Sequence, residues 1–200
     1  MKNNKLNPEG IIRMNRLNRS MFLYFFIFII ASHSQAQNIY TETRNNVGDI
    51  LFDPKTDDPT FELIAENNIL TTNTLCGFLI KGERYMVLKY FDEHFKPDVI
   101  KGVTGYITIR FIVNHKGQTD RFRMYEMDNN YKPFTFPKNI TDSLLELTRK
   151  LDGWITTLNY KSNRYNYIET EVNGEKKYAY DYYQYILFKI KDGQIETVLP

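Results

Sequence analysis

Few residues in this 200-residue sequence are of the types that carry out chemistry. Cys76 is the single cysteine, so the chain has no internal disulfide. Its neighbours Leu75 and Phe78 are apolar, which predicts a buried and unreactive thiol. His115 falls in a predicted polar loop, and we expect its side chain to be exposed to solvent. The third candidate, His33, lies in the N-terminal leader described below.

The remaining histidine suggests a metal site only at first sight. His94 follows Asp92 and Glu93, but adjacent helix positions point about 100° apart and do not converge on one ion. We expect a solvated acidic helix end instead. The sequence contains no nucleophile elbow, phosphate loop, HExxH pair or Cys/His zinc spacing. We therefore predict no enzymatic activity, cofactor or metal, and an enzyme with an unassigned pair of carboxylates stays a third hypothesis.

Two stretches have the apolar spacing of helices. The first, residues 83–95, is followed by Pro97, which ends it. Its apolar side chains share one face: Tyr85, Val87, Leu88, Phe91 and Phe95. The second runs to about Asp152, and Ser143 and Glu146 have the spacing of a capping box near its start. Its apolar side is formed by Leu144, Leu147 and Leu151.

The clearest strand pattern covers residues 105–113, where apolar and polar residues alternate. A glycine-containing loop at residues 115–118 and a second alternating stretch at residues 119–127 predict a β-hairpin. A long final strand at about residues 178–190 follows the turn signal Asn173-Gly174. The predicted fold is therefore α+β, with a small antiparallel sheet, made of the hairpin and the final strand, packed against two helices.

Residues 37–80 are predicted to be an N-terminal embellishment of the domain formed by residues 81–200. Residues 38–60 contain several turn signals and predict an irregular segment that leaves room for one short strand. Four apolar side chains are expected to pack this part of the chain on the sheet: Phe61, Leu63, Leu75 and Phe78.

The start of the chain has the features of a secretory signal peptide. Arginines precede the apolar run at residues 21–30, which is about ten to twelve residues long, whereas a membrane-spanning helix needs about twenty. Ser34 and Ala36 place small side chains before a cut ahead of Gln37. We expect residues 1–36 to be removed on export to the periplasm, which leaves no stable membrane span. An uncleaved signal anchor is the alternative.

Removal of the leader reverses the net charge. The whole chain carries 26 lysines and arginines and 24 aspartates and glutamates, and the leader holds five of the former and one of the latter, so 21 and 23 remain. The expected mature protein is mildly acidic and has no basic stripe. These features argue against nucleic acid as a partner.

The order of helix, strand, glycine loop, strand, helix ending near Trp154, turn and long strand resembles the C-terminal domain of TonB-type energy transducers. The residues that carry the resemblance are Gly105 to Gln118, Leu144 to Trp154, Asn173 to Lys176, and Ile186 to Ile190. The chain has no long proline-rich linker and no clear membrane anchor, both of which the transducers carry. It is therefore more similar to the free-standing members that bacteria of the Bacteroidetes type export.

The resemblance implies a role in binding rather than catalysis. In the family, a short motif of an outer-membrane receptor docks beside the final long strand by strand addition. Carried over, the binding edge is formed by Gln184, Tyr185, Ile186, Leu187, Phe188, Lys189 and Ile190. The expected partner is an outer-membrane receptor segment or another envelope protein.

Two alternatives to this edge site stay open. A structural envelope protein could use the same sheet edge for homodimerisation. The final strand could also be a plain core strand whose edge is covered by residues 194–199.

Overall fold

The computed structural model of the protein describes residues 50–66, 69–71 and 77–200. These residues belong to one compact unit. The predicted leader, Leu75 and Cys76 lie outside the described residues, so the predictions made for them stay predictions.

Two helices and eight strands are present in the described residues. The helices are α1, Glu83–His94, and α2, Lys138–Lys150. The strands are β1, Leu70–Thr71; β2, Gly105–Val113; β3, Thr119–Asp128; β4, Thr157–Leu158; β5, Ile168–Val172; β6, Glu175–Ala179; β7, Tyr182–Lys191; and β8, Gln194–Leu199. The α+β class and the two helices are confirmed.

The main sheet is built around the pairing of β2 with β7. These strands are antiparallel and in unbroken register from Gly105 opposite Ile190 to Val113 opposite Tyr182. β3 pairs with the other side of β2, as the hairpin pattern predicts, and β8 and β1 pair with the other side of β7. Because β1 runs parallel to β7, the sheet is mixed and larger than the antiparallel sheet expected from the sequence.

Both helices cover one face of this sheet. The side chains of β2 and β7 that point to this face are fully buried: Ile107, Ile109, Phe111, Val113, Ile186, Phe188 and Ile190. α1 contributes Val87 and Phe91, and the Phe91 ring meets Phe188 edge to face at 4.8 Å. α2 contributes Ile140 and Leu144. The alternating apolar pattern in the sequence of β2 therefore predicts its buried face correctly.

The N-terminal segment covers part of the opposite face. Ile50, Ile69, Phe61 and Leu63 pack with Ile112 of β2 and Tyr183 of β7 in a second apolar cluster. The packing predicted for Phe61 and Leu63 is confirmed. Phe78 also packs on the sheet, but as part of the main core.

Two ion pairs fasten the N-terminal segment to β3. Both carboxylate oxygens of Asp57 accept hydrogen bonds from Arg123 at 2.7 Å. Both oxygens of Glu66 accept from Arg121, also at 2.7 Å. Arg121 has a positive φ of 59° at an irregularity in the pairing of β2 with β3, a bulge that turns its side chain toward Glu66.

The predicted final strand is two strands in two sheets. Strand β6 ends at Ala179 and belongs to a three-stranded sheet of order β4-β6-β5, while β7 begins at Tyr182 in the main sheet. The backbone changes sheets at Tyr180 and Asp181. The turn predicted at Asn173-Gly174 joins β5 to β6, with both residues at positive φ, and is confirmed.

The structure corrects two details of the predicted helices. α2 begins at Lys138, directly after Pro137, so Ser143 lies inside the helix and not at its cap. Pro137 occupies the N-cap position and no side chain caps the helix there, so the capping-box spacing of Ser143 and Glu146 does not mark the start of α2. In α1, Tyr85 is 75% exposed and does not share the buried face assigned to it.

We expect Gly105→Ala to lower the free energy of unfolding by about 2–4 kcal/mol. A Cβ atom at this position would lie 2.2 Å from the carbonyl oxygen of Met127, which belongs to the β3 backbone and cannot move without disturbing the hairpin. Urea denaturation measures the loss. Gly102→Ala is the control, because its φ is 82° but no atom lies within 4 Å of the added Cβ, and about 1 kcal/mol is expected there. Equal losses would contradict the steric explanation.

Acid is expected to release the Asp57 contact. Hydrogen bonds from Arg123 lower the pKa of Asp57 from 3.8 to about 2. A depressed pKa in the folded state stabilises the protein above pH 4, and this contribution, about 2 kcal/mol, is lost as the pH falls from 4 toward 2. Urea denaturation of the wild type and of Asp57→Asn at pH 6 and pH 3 checks this. The variant should lose less stability on acidification, and parallel losses would refute the assignment.

Candidate functional site

The residues predicted to form the binding edge lie inside the main sheet. Tyr182 to Ile190 of β7 pair with β2, and on the other side Leu187 to Lys191 pair with β8. The expectation of an open edge at Leu187 to Ile190 is therefore wrong, because β8 already uses the backbone groups on that side. This pairing is the one expected if residues 194–199 cover the edge of the final strand.

The side chains of β7 alternate as expected. Gln184, Ile186, Phe188 and Ile190 are buried, whereas Tyr185, Leu187 and Lys189 lie partly exposed on the opposite face. Among the described strands, none pairs with Gln184 to Ile186 on the side between β1 and β8. The amide of the buried Gln184 side chain donates to the carbonyl of Tyr185 at 3.0 Å, which occupies one backbone acceptor in this gap.

The open edge of the main sheet is instead β8. No strand of the described chain pairs with its outer side. The carbonyl oxygen of Val198 accepts a hydrogen bond from Nε of Arg84 at 3.2 Å, so this carbonyl points away from β7 and toward α1. In an antiparallel ladder the N–H and C=O of one residue point to the same side. The Val198 N–H therefore also faces outward.

A groove of about 540 Å³ runs between this edge and α1. The β8 wall is formed by residues 194–198, and the α1 wall by Tyr85, Leu88, Lys89 and Asp92, with Lys96 just beyond the helix. Its lining also includes the largely buried rings of Phe91 and Phe95. The groove thus combines backbone hydrogen-bonding groups with an apolar floor.

Charged side chains border the groove, and some of them are paired. Lys189 contacts Glu196 across β7 and β8 at 2.6 Å, and this hydrogen bond lowers the pKa of the Glu196 carboxyl. Lys89 lies 3.8 Å from Glu93 on α1. Arg84 donates to Val198 O and, at 3.2 Å, to Oγ1 of Thr197.

The opposite edge of the sheet, on β3, is less open. The segment after β3 folds back on it, so that Phe134 N–H donates to Glu126 O and Asp128 N–H donates to Lys132 O. The bulge at Arg121 adds local twist, which is a common way to protect an edge strand. β8 with its groove is therefore the better candidate for an interaction site.

The two histidines of the domain differ. His94 is exposed, with Nδ1 2.8 Å from Tyr90 O, as expected for a solvated helix end. The side chain of His115 is only 15% exposed, so its predicted exposure is wrong. Oδ1 of the buried Asp181 accepts hydrogen bonds from the backbone N–H of His115 at 2.7 Å and from Nδ1 at 3.0 Å, which places the imidazole proton on Nδ1.

Asp181 also holds the N-terminal segment. Its Oδ2 accepts the backbone N–H of Ile64, and its carbonyl oxygen accepts the N–H of Leu70 at 3.0 Å. Among the described residues, no hydroxyl or thiol forms a hydrogen bond with the His115 imidazole. The contacts are those of a buried junction between the hairpin loop, β7 and the N-terminal segment.

Sequence reasoning placed residues 194–199 beside the final strand only as an alternative and did not single out Asp181, although each left a signal. Asp192-Gly193 is a two-residue hairpin turn, and both residues have positive φ, so a strand directly after it was a reasonable expectation. Asp181 is a lone acid in an aromatic stretch, the pattern of a buried carboxylate with satisfied hydrogen bonds. For Arg84 the sequence offers no signal.

The chain matches no protein-family model, no curated protein and no solved structure. Within residues 50–66, 69–71 and 77–200, no group of three or more His, Cys, Asp or Glu side chains could hold a metal ion. The helices in these same ranges are too short or too polar to cross a membrane.

We expect Asp181→Asn to destabilise the protein by about 2–4 kcal/mol. The carboxylate accepts from three donors, and an amide would turn its NH₂ group toward at least one of them. Thermal or urea denaturation measures the loss. His115→Gln removes only the imidazole contact and should cost about 1 kcal/mol. If the two variants lose the same stability, Asp181 does not organise the junction.

Proposed function

We propose that the protein is a binding module that captures an extended peptide segment of another protein by strand addition at β8. The supporting observation is the open β8 edge beside the α1 groove. Strand addition gives affinity through main-chain hydrogen bonds and specificity through pockets that receive alternate side chains. Both components are present here, in the outward groups of β8 and the apolar floor.

The dimensions suit a short segment. β8 has six residues and is about 20 Å long, since a strand rises about 3.3 Å per residue. α1, with twelve residues, is about 18 Å long. An extended segment of five or six residues would therefore have a strand on one side and a helix on the other along its whole length.

The groove is held by the protein core and would need little ordering on binding. Val87 and Phe91 anchor α1 to the sheet, and Val198 is buried opposite Phe188. A preformed site lowers the entropic cost of binding. Arg84 is part of this arrangement, because it joins the start of α1 to the end of β8.

We further propose that the partner is an outer-membrane receptor segment or another envelope protein, met in the periplasm. This part rests on the signal-peptide pattern and on the resemblance to TonB C-terminal domains. In that family the partner docks beside the final long strand. Here β8 lies in that position, so the proposed docking edge is displaced outward by one strand.

Blocking the groove should abolish peptide capture. Random eight-residue peptides displayed on phage are selected on the purified protein, and the affinities of the selected peptides are measured by fluorescence anisotropy. Leu88→Trp, which places a large ring in the groove, is expected to weaken binding at least tenfold. Leu145→Trp is the matched control, because Leu145 is a partly buried leucine on α2. Its affinity should equal that of the wild type.

Circular dichroism first shows whether both variants remain folded. Selected peptides that bind Leu88→Trp as well as they bind the wild type would refute the groove as the binding site. If no peptide is selected, and the protein instead dimerises in a manner that Leu88→Trp prevents, homodimerisation through this edge replaces peptide capture.

A further inference from the structure

Two cations without a carboxylate partner lie near opposite ends of α1, beside the β8 groove. Lys96 lines the groove, and Arg84 reaches its edge by contacting Val198 and Thr197. Arg84 lies in the first turn of α1, and Lys96 lies two residues past its end. Arg84 contacts only neutral oxygens, on Val198 and Thr197. The Lys96 ammonium donates to the backbone carbonyl of Asp92. Neither forms an ion pair with an acid of the described residues.

Most other charges around the groove are compensated. Glu196 is paired with Lys189, and Glu93 with Lys89. Asp92 lines the groove four residues before Lys96 and forms no ion pair with a described residue. It disfavours a second acid in the middle of the groove. The positive charges available to a ligand are therefore those at the two ends.

We infer that the segment captured by β8 is acidic at both ends, with one carboxylate placed at Arg84 and another at Lys96. This inference rests on the proposed peptide-binding function. The backbones of Arg84 and Lys96 are twelve residues apart, about 18 Å at the rise of a helix, and the Lys96 ammonium reaches back to the Asp92 carbonyl, which brings the two charges somewhat closer. An extended chain covers that distance in about five residues. The segment therefore carries two acidic groups about five positions apart, with apolar side chains between them.

Arg84 is the stronger of the two anchors. Its guanidinium is already oriented by Val198 and Thr197, and those two contacts leave further N–H groups for a carboxylate. The N-terminus of α1 lies at the same end and adds a partial positive charge. At the Lys96 end, the C-terminus of the helix has the opposite effect. A free C-terminal carboxylate of the bound segment would fit the Arg84 end equally well.

The test uses two synthetic peptides with capped termini. One is Glu-Gln-Leu-Ser-Val-Glu, and the other replaces both glutamates with lysine. Fluorescence anisotropy with the purified protein should give an affinity at least tenfold higher for the acidic peptide. Arg84→Gln combined with Lys96→Gln should remove this preference. Lys55→Gln combined with Lys132→Gln makes the same change of charge on exposed residues that do not line the groove, and should preserve it.

A single substitution at Lys96 tests the charge inference without removing the structural contacts of Arg84. Lys96→Gln alone leaves the contacts of Arg84 intact and is expected to weaken binding of the acidic peptide about threefold. Equal affinity for the two peptides, or an unchanged preference in the Arg84/Lys96 variant, would overturn the charge inference while peptide capture stands. If neither peptide binds, and no selected peptide binds either, the inference and the proposed function both fail.

Discussion

The antiparallel pairing of β2 with β7 is the interaction on which the rest of the structure depends. It joins residues that are 69 positions apart at Val113 and Tyr182 and 85 apart at Gly105 and Ile190, in unbroken register. Every other part of the main sheet attaches to one of these two strands. Their buried side chains form the surface on which α1 and α2 pack. Successive strand residues alternate between faces, so the register also decides which side chains lie on the opposite face, where the N-terminal segment packs. Gly105 permits the close approach of β3 at one end of this pairing.

Asp181 supports this arrangement where the chain leaves the small sheet for β7. A buried carboxylate is costly unless its oxygens are satisfied, and here three N–H donors meet it. These donors come from the hairpin loop and from the N-terminal segment, so one side chain joins parts of the chain that are distant in sequence. The Asp57 and Glu66 ion pairs fasten the same segment to β3.

Local patterns were sufficient to predict β2, β3, α1 and the turn at Asn173-Gly174, because each depends on periodicity or turn chemistry within a short stretch. The break at Tyr180 and Asp181 could not be predicted from periodicity, since the apolar and aromatic pattern continues across it. The predicted binding edge on β7 lies one strand inside the edge that is open in the structure, β8. The hairpin turn at Asp192-Gly193 is a local signal that β8 pairs with β7. The residue that contacts the outer side of β8, Arg84, lies more than a hundred positions away in sequence, so the periodicity of β8 could not reveal it.

The central claim is that β8 is an open edge whose outward N–H at Val198 is free to bind another strand, while the Val198 carbonyl oxygen is held by Arg84. Amide hydrogen exchange of the protein without ligand, measured residue by residue by NMR, tests it most directly. The Thr197 amide, in register with Lys189 and facing β7, should exchange slowly, whereas the adjacent Val198 amide, which faces the groove, should exchange far faster. A Val198 amide as strongly protected as that of Thr197 would show that the β8 edge is already occupied, and would contradict the claim.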